Sequence, residues 1–253
     1  MIRVVEIRII ILAAGKGTRA MPLTRNTPKS LLDVGKGITL LEKQFESIQK
    51  SKVIDEVVLV IGHLAEQIEA KIKMHKENGL KITTIFNPFY DVSNNLISLW
   101  FANPKMDDDF IIANGDNIFD YDVFSDLVNK NEEGIFLTIN RKDEYVEGDM
   151  KVNMKGDVIG RVSKEIDIKK ADCESVGLVL VKGEKYRQIF KGNLEILVRD
   201  KEYTNKFWLE VFNLMASKGI VIRPFEIDGK AKWREVDFHL DLDEAKKLLK
   251  LKD

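Results

Sequence analysis

The sequence predicts an α/β protein built on a mixed, mainly parallel sheet. In the first half, short apolar runs alternate with helical patterns of apolar residues, which is typical of parallel strands joined by crossover helices. After Asn140 the runs become shorter and a hairpin signal appears, which indicates antiparallel additions to the sheet. The sequence has no internal repeat, low-complexity tract or linker rich in Pro, Gly or Ser, so we expect one domain over residues 1–253.

Apolar runs in the first half predict four strands, at residues 6–13, 56–61, 81–86 and 109–113. Between them, apolar residues recur at helical spacing and predict two helices with one buried face each. The first stripe is Leu40, Leu41, Phe45 and Ile48, and the second is Leu64, Ile68 and Ile72.

The second half predicts a hairpin, two more strands and two helices. Residues 150–154 and 158–162 flank Lys155-Gly156-Asp157, which is a good hairpin turn, and further strands are expected at 175–181 and 220–227. Helices are expected at 204–217 and from Asp241 to the C-terminus, where Asp241 and Glu244 have the spacing of a capping box.

Composition and charge tell against several classes of protein. Lys+Arg 40 against Asp+Glu 41 gives a net charge of -1, so a basic nucleic-acid-binding protein is not expected. Cys173 is the lone cysteine, which suits a reducing compartment, and the three scattered histidines do not suggest a zinc site. The longest apolar run, 9–14, is too short to span a bilayer, and the N-terminus lacks the features of a signal peptide. We therefore expect a cytoplasmic protein with no membrane or nucleic-acid partner.

The glycine-rich run after the first strand has two possible interpretations. Residues 15–20 match the loose dinucleotide fingerprint G-x-G-x-x-G/A, but Pro22 and Pro28 interrupt the helix that this motif requires. The next strand ends in Gly62-His63 rather than in an acid that could bind a ribose, which tells against a dinucleotide-dependent oxidoreductase. The other interpretation is a polyphosphate cradle, in which backbone N–H groups of residues 13–18 meet phosphate oxygens and Arg19 and Lys29 supply positive charge.

Two further loops carry candidate metal ligands. Asp116 follows the apolar run 110–113, where a carboxylate beside a phosphate site suits magnesium, although Asn-Gly-Asp equally suits a simple turn. Asp237 ends the run Trp233-Arg234-Glu235-Val236-Asp237, where it is either a second ligand or a residue that precedes a helix cap.

Four stretches together resemble one enzyme family. "LAAGKGTRAMPLTRNTPKSLL" is similar to the signature of the nucleotidyltransferases that join a nucleoside triphosphate to a sugar phosphate or phospho-alcohol. "IIANGDNIF" and "WREVDFHLDLDEA" resemble the family's two metal-binding segments, and "NPFYDVSNNLISLW" looks most like choline-phosphate cytidylyltransferases and their relatives acting on 2-aminoethylphosphonate. The resemblance implies a Rossmann-like three-layer αβα sandwich, which transfers a nucleotide to a small phosphate or phosphonate acceptor, with CTP favoured.

Carried over residue by residue, the resemblance implies that Arg19 and Lys29 hold the triphosphate and that Asp116 and Asp237 bind Mg²⁺. Ser93, Asn94 and Asn95, with Gly62 nearby, occupy the segment that reads the base, although Asn94 and Asn95 also suit a turn before a helix. The loop residues expected to contact the nucleotide are Leu12, Ala13, Ala14, Gly15, Lys16, Gly17 and Thr18.

The acceptor is less well defined. Choline-phosphate enzymes tend to carry an aromatic residue in the segment that matches 148–151, and this chain has none there. Lys151 and Lys164 instead resemble lysines that meet the acceptor's phosphate in enzymes acting on sugar 1-phosphates and inositol 1-phosphate. Aromatic residues elsewhere could still form a cation-π box or could belong to the core. Alternatives to the favoured function are therefore a sugar-1-phosphate or inositol-1-phosphate nucleotidyltransferase and an inactive regulatory homologue, with the oligomeric state left open.

Overall fold

The computed structural model describes residues 6–76, 79–227 and 233–236. Within these residues the strands are, in chain order, β1 Ile7–Ala13, β2 Asp33–Gly35, β3 Ile38–Thr39, β4 Glu56–Ile61, β5 Ile82–Phe86, β6 Asp109–Asn114, β7 Asn117–Phe119, β8 Gly134–Asn140, β9 Lys151–Lys155, β10 Val158–Ser163, β11 Cys173–Lys182, β12 Arg223–Glu226 and β13 Trp233–Glu235. The helices are α1 Leu40–Ser51, α2 Ala65–Lys76, α3 Asn95–Phe101, α4 Tyr121–Val128, α5 Glu184–Val198 and α6 Glu210–Ser217. None of the helices in this described part is long and apolar enough to cross a membrane.

Nine strands form one mixed sheet. Its main path is β10-β9-β11-β6-β1-β4-β5, and β8 pairs with both β11 and β12. The ladders β6-β1-β4-β5 are parallel, whereas β11 runs antiparallel to β6, β8 and β9. The expected parallel half with antiparallel additions is confirmed.

Helices cover both faces of the sheet. Along β1, Ile9 and Ile11 pack in the core with α1, α2 and α4, whereas Ile10 and Leu12 pack with α3, α5 and α6. Because successive side chains of a strand point to opposite faces, a strand buried on both sides reads as a continuous apolar run. The predicted three-layer αβα sandwich is confirmed.

The two helices expected in the first half both form, although Leu64 of the second stripe lies just before α2. Helix α1 begins with a capping box, in which the Glu42 backbone N–H donates to Thr39 Oγ1 (3.3 Å) and the Thr39 N–H donates to Glu42 Oε2 (2.8 Å). Its buried Leu41, Phe45 and Ile48 then reach the sheet.

The predicted helix over 204–217 is too long, because only Glu210–Ser217 is helical. The backbone N–H of Asn94 donates to Thr204 O (2.9 Å), and that of Trp208 donates to Asn95 Oδ1 (2.9 Å). The segment before α6 therefore forms i→i−3 turns, such as the Lys206 N–H to Tyr203 O (3.0 Å), and tertiary hydrogen bonds tie it to the start of α3.

The sequence patterns also missed two central elements. Strand β8 is buried along its whole length, and α5 covers one face of the sheet with Phe190, Leu194 and Leu197. The strand expected at 220–227 is confined to Arg223–Glu226. The helix expected from Asp241 lies outside the described residues.

Candidate active site

The candidate site is a cavity at the carboxyl ends of β1 and β6. From β1 the chain continues to β4 and β5 on one side, and it then returns to β6 on the other side of β1. Such a switch point leaves a crevice in which ligands of open α/β sheets bind. The cavity measures about 240 Å³. The predicted site residues that line it are Leu12, Ala13, Ala14, Gly15, Gly17, Arg19, Lys29, Ser93, Asn94, Asn95, Asp116 and Lys164.

Gly17 allows the loop after β1 to turn back on itself. Its φ of +62° is in the left-handed region, which favours glycine. A Cβ at this position would stand 3.1 Å from both Lys29 Cβ and Thr24 Cγ2, and Thr24 Oγ1 donates a hydrogen bond to Gly17 O (2.8 Å). The glycine thus lets Lys29 pack directly against the phosphate-binding loop predicted from the sequence.

Gly115 brings the loops after β1 and β6 into contact. Its N–H donates to Leu12 O (3.0 Å), and a Cβ at this position would lie only 2.5 Å from the same oxygen. The absence of a side chain at Gly115 therefore allows Asp116 to approach the glycine loop.

Asp116 has two oxygens in different surroundings. Lys29 Nζ lies 2.8 Å from Asp116 Oδ2, with exposed fractions of 14% for the lysine side chain and 19% for the aspartate. Asp116 Oδ1 is buried and accepts no hydrogen bond from the described residues. A buried carboxylate oxygen without a donor is suited to a hard cation. The residues present therefore fit a magnesium ion that takes most of its other ligands from phosphates and water, although the described residues contain no cluster of three or more metal-ligating side chains.

The second predicted metal ligand, Asp237, lies outside the described residues. The chain just before it is described, because β13 pairs antiparallel with β7 and the Val236 N–H donates to Asp116 O (2.9 Å). Glu235 also lines the cavity.

The segment predicted to read the base also lines the cavity and is tied to α3. Asn94 caps this helix by accepting the Asn95 N–H (2.8 Å), and Ser93 Oγ donates to Phe89 O (2.7 Å). Asn95 Oδ1 accepts from the backbone of Trp208, whose indole N–H donates to Asn114 Oδ1 (2.9 Å). The capping geometry expected for a turn before a helix is therefore present, and these residues also face the cavity.

Four predicted site residues do not line the cavity. Lys16 forms an ion pair with Asp91, and Thr18 starts a short 3₁₀ helix, Thr18–Ala20. Gly62 lies behind Tyr90, because a Cβ at Gly62 would stand 2.6 Å from Tyr90 Cβ. The fourth is Lys151, whose ammonium is buried and donates to backbone carbonyls.

Lys164 is the predicted acceptor-binding lysine that does reach the cavity. Its Nζ lies 5.5 Å from the centroid of the Phe207 ring, and both residues line the cavity wall together with Gly148 and Met150. An ammonium at this distance over an aromatic face makes a cation-π contact. One face of the Phe207 ring is thus already in contact with a cation of the protein.

Some lining residues escaped the sequence patterns. Ser175, Val176 and Gly177 reach the cavity where the β8–β11 register shifts, and Gly177 has a φ of +69°. Val176 O accepts a hydrogen bond from Asn117 Nδ2 (2.6 Å). A glycine inside an apolar strand run is a signal for a bulge or a close backbone approach, and Gly177 carried that signal.

The fold and cavity define an α/β protein with a crevice at the switch point of its sheet, and the chain belongs to the nucleotidyl transferase family. The family's sequence model matches residues 8–158, more than half of the chain. A choline-phosphate cytidylyltransferase of Streptococcus pneumoniae is 31% identical over 136 residues, which cover 54% of this chain and 55% of that protein. The CTP:phosphoglutamine cytidylyltransferase of Campylobacter jejuni is 24% identical over 253 residues, covering 92% of this chain and 97% of that protein.

The match to the pneumococcal relative thus spans about half the length of that protein. Among solved structures, the inositol-1-phosphate CTP transferase of T. maritima has the same fold, with a TM-score of 0.78 and 19% identity over 99% of this chain and 98% of that one. The family resemblance stated from the sequence is confirmed.

Proposed function

We propose that this protein transfers CMP from CTP to a small phosphorylated or phosphonylated alcohol and releases pyrophosphate. The observation that supports the proposal most strongly is the cavity at the β1–β6 switch point, which is lined by a glycine loop, Arg19, Lys29 and Asp116, whose Oδ1 has no donor among the described residues. Support for CTP comes from two relatives that are named as cytidylyltransferases.

In the proposed reaction, an oxygen of the acceptor's phosphate attacks the α-phosphorus of CTP. A new P–O bond joins acceptor and CMP, and the bond from the α-phosphorus to the bridging oxygen breaks, so that its electron pair leaves with pyrophosphate. A phosphomonoester is largely dianionic at neutral pH, because its second pKa is about 6, so the acceptor needs no general base. The main barrier is repulsion between two polyanions, which fixed positive groups and backbone N–H groups reduce.

Arg19 and Lys29 are the groups proposed to meet the triphosphate and to stabilise the pyrophosphate that departs. The resident cation would be held by Asp116, with Asp237 as the second predicted ligand, and when bound it would neutralise charge on the phosphate oxygens. Lys29 would keep its ion pair with one oxygen of Asp116 and leave the other oxygen directed to the cation.

Lys164 is proposed to meet the acceptor's phosphate. The acceptor end of the cavity is lined by Gly148, Met150, Lys164 and Phe207, and the Phe207 face is already in contact with the Lys164 ammonium. This arrangement offers a poor aromatic box for a trimethylammonium group, so phosphocholine is only one candidate acceptor.

The prediction of a cytoplasmic protein, which rests on composition and the lone cysteine, stays a prediction.

A matrix of substrates tests the proposal. Each of CTP, UTP, TTP and ATP is incubated with phosphocholine, 2-aminoethylphosphonate, phosphoglutamine, inositol 1-phosphate or glucose 1-phosphate in the presence of Mg²⁺, and pyrophosphate release is followed. We expect pyrophosphate release from CTP that depends on phosphocholine, 2-aminoethylphosphonate, phosphoglutamine or inositol 1-phosphate. A preference of tenfold or more for glucose 1-phosphate with UTP or TTP, about 1.4 kcal/mol, would contradict the acceptor class but not the reaction type.

No release in any combination would contradict the reaction itself and favour an inactive homologue. NAD(P) and the four triphosphates are compared in parallel by thermal shift with Mg²⁺, since a ligand that binds only the folded state raises the Tm. Stabilisation by NAD(P) but by no triphosphate would favour the oxidoreductase alternative.

A further inference from the structure

Lys151 is a buried lysine whose charge is used inside the protein. The residue is 1% exposed and lies at the start of β9. Its Nζ donates to the backbone oxygens of Val146 (3.4 Å), Glu147 (3.2 Å) and Asp149 (3.4 Å). An ammonium has three donors, and three carbonyls of one short segment surround this one. Lys151 therefore fixes the path of residues 146–149.

Residues 146–149 belong to a longer segment, 142–150, which is held by a second set of charged contacts. Lys142 Nζ lies 2.8 Å from Asp149 Oδ2 and 2.8 Å from Glu174 Oε2, and Asp149 Oδ2 also accepts the Val146 N–H (2.7 Å). Burial alone lowers the pKa of Lys142, but the two carboxylates more than offset it and raise the pKa above its ordinary value. The segment is thus held by two lysine ammonium groups and two carboxylates, all of them at least partly buried.

Segment 142–150 also reaches the cavity. Gly148 and Met150 line the cavity wall beside Lys164, while Met150 O accepts the N–H of Ser175 (2.8 Å), itself a lining residue. No glycine-loop residue is hydrogen-bonded to Lys151 among its described contacts. A change at Lys151 should consequently be felt at the acceptor end and not at the nucleotide loop.

We propose that Lys151 is a positioning residue for the acceptor: its buried ammonium holds segment 142–150 so that Gly148 and Met150 form the wall against which the acceptor is placed. The inference rests on the proposed function. It differs from direct contact between Lys151 and the acceptor's phosphate, because the ammonium already donates to three carbonyls.

The test compares Lys151→Met with Lys155→Met, which changes an exposed lysine at the other end of β9. The acceptor is the one among phosphocholine, 2-aminoethylphosphonate, phosphoglutamine, inositol 1-phosphate and glucose 1-phosphate that gives the wild type its highest kcat/KM. In Lys151→Met we expect the KM for this acceptor to rise about tenfold while the KM for CTP stays within twofold of wild type. Hydrogen exchange, followed by mass spectrometry, should become faster in segment 142–150 and stay unchanged in α1. Lys155→Met should behave as wild type.

Asp149→Asn provides a second route to the same loosened segment if Lys151→Met does not fold, and we expect the same selective rise in the acceptor's KM. An equal rise in the KM for CTP, or an unchanged acceptor KM with faster exchange in 142–150, would overturn the inference. A higher acceptor KM with unchanged exchange would also overturn it, in favour of direct contact. Wild-type protein inactive with every acceptor would refute the proposed function and this inference with it, whereas an active wild type with unaffected variants refutes this inference alone.

Discussion

Asp116 has one oxygen bound to Lys29 and one buried oxygen without a donor among the described residues, so we expect its charge to matter more for turnover than for folding. Asp116→Asn keeps the shape of the side chain and removes the charge that a cation needs. We expect CTP-dependent turnover to fall about 100-fold or more, because several kcal/mol of transition-state stabilisation are lost. Turnover at saturating Mg²⁺ is the measurement, and circular dichroism should show an intact fold. Asp157→Asn, in the exposed turn between β9 and β10, is the control, and equal turnover in both variants would contradict the metal assignment.

Lys29→Ala removes a positive charge that is proposed to contact both Asp116 and the polyphosphate. A cation that binds the triphosphate in the ground state and in the transition state lowers KM and raises kcat together. We expect the variant to lose about 10- to 100-fold in kcat/KM for CTP, with both constants changed. Lys73→Ala, at an exposed position of α2, should leave both constants as in wild type. If Lys29→Ala had the same kcat and KM as Lys73→Ala, Lys29 would have no role in binding the triphosphate or in turnover.

At the scale of single residues, the sequence predicted fewer than half of the residues that line the cavity and could not show where long side chains end. The glycine loop and Asp116 follow apolar strand runs, and the carboxyl ends of parallel strands meet at one edge of a sheet, so their approach was predictable. Lys151 was predicted to meet the acceptor. The sequence around Lys151 does not indicate that three backbone carbonyls of neighbouring residues surround its ammonium. That arrangement depends on the folded path of residues 146–149.

Between elements, the contact of the β1 and β6 loops depends on Gly115. Gly115→Ala would place a Cβ about 2.5 Å from Leu12 O, and a backbone atom cannot move aside as a flexible side chain can. We expect the two loops to separate, with turnover reduced and the free energy of unfolding lowered by about 1–3 kcal/mol. Urea denaturation and steady-state kinetics are the measurements.

Gly192→Ala is the matched control for that variant. Gly192 lies inside α5, and a Cβ there would meet nothing within 4 Å. Because alanine is favoured over glycine inside a helix, the substitution should raise the free energy of unfolding by about 0.5–1 kcal/mol and leave turnover unchanged. If Gly115→Ala gave the same result, close packing of the two loops would not be required.

At the same scale, elements with a clear pattern were predictable and those without one were missed. Helix α1 has a capping box and one apolar stripe, whereas α5 begins after Gly183, which has no side chain to cap it. Strand β8 is buried on both faces like β4, but Thr138 limits its continuous apolar run to Ile135-Phe136-Leu137, which is too short to indicate a strand. The helix predicted over 204–217 is shorter because long-range hydrogen bonds to α3 override its local preference.

For the whole molecule, a network of charges closes the end of the sheet opposite the cavity. Glu56 is 2% exposed and binds Arg8 Nε (3.0 Å), Lys105 Nζ (2.9 Å) and Thr83 Oγ1 (2.6 Å). Burial alone raises the pKa of Glu56, but the hydrogen bonds from Thr83 and Lys105 and the nearby positive charges lower it from 4.5 to about 2. The folded state therefore favours the ionised carboxylate. This contribution is complete above pH 4.5 and is lost as the pH falls towards 2.

Glu56→Gln should consequently lower the free energy of unfolding by about 3 kcal/mol at pH 7, since a lowered pKa of this size corresponds to that free energy. The difference in the free energy of unfolding between this variant and wild type should narrow as the pH falls from 4.5 to 2. Urea denaturation across this range is the measurement, with Glu69→Gln, at an exposed position of α2, as the control. A difference that does not change with pH would show that Glu56 contributes by packing rather than by its charge.

We propose that the cavity joins CMP to an acceptor's phosphate. This reaction can be followed by ³¹P NMR of CTP, Mg²⁺ and the best acceptor of the substrate matrix, with wild-type protein and with Asp116→Asn. We predict that wild-type protein converts CTP into equal amounts of pyrophosphate and a product whose two coupled phosphorus signals show a new P–O–P linkage, only when acceptor is present, and that Asp116→Asn gives almost none. Release of CMP and pyrophosphate without acceptor, or unchanged CTP with every acceptor, would contradict the proposed reaction.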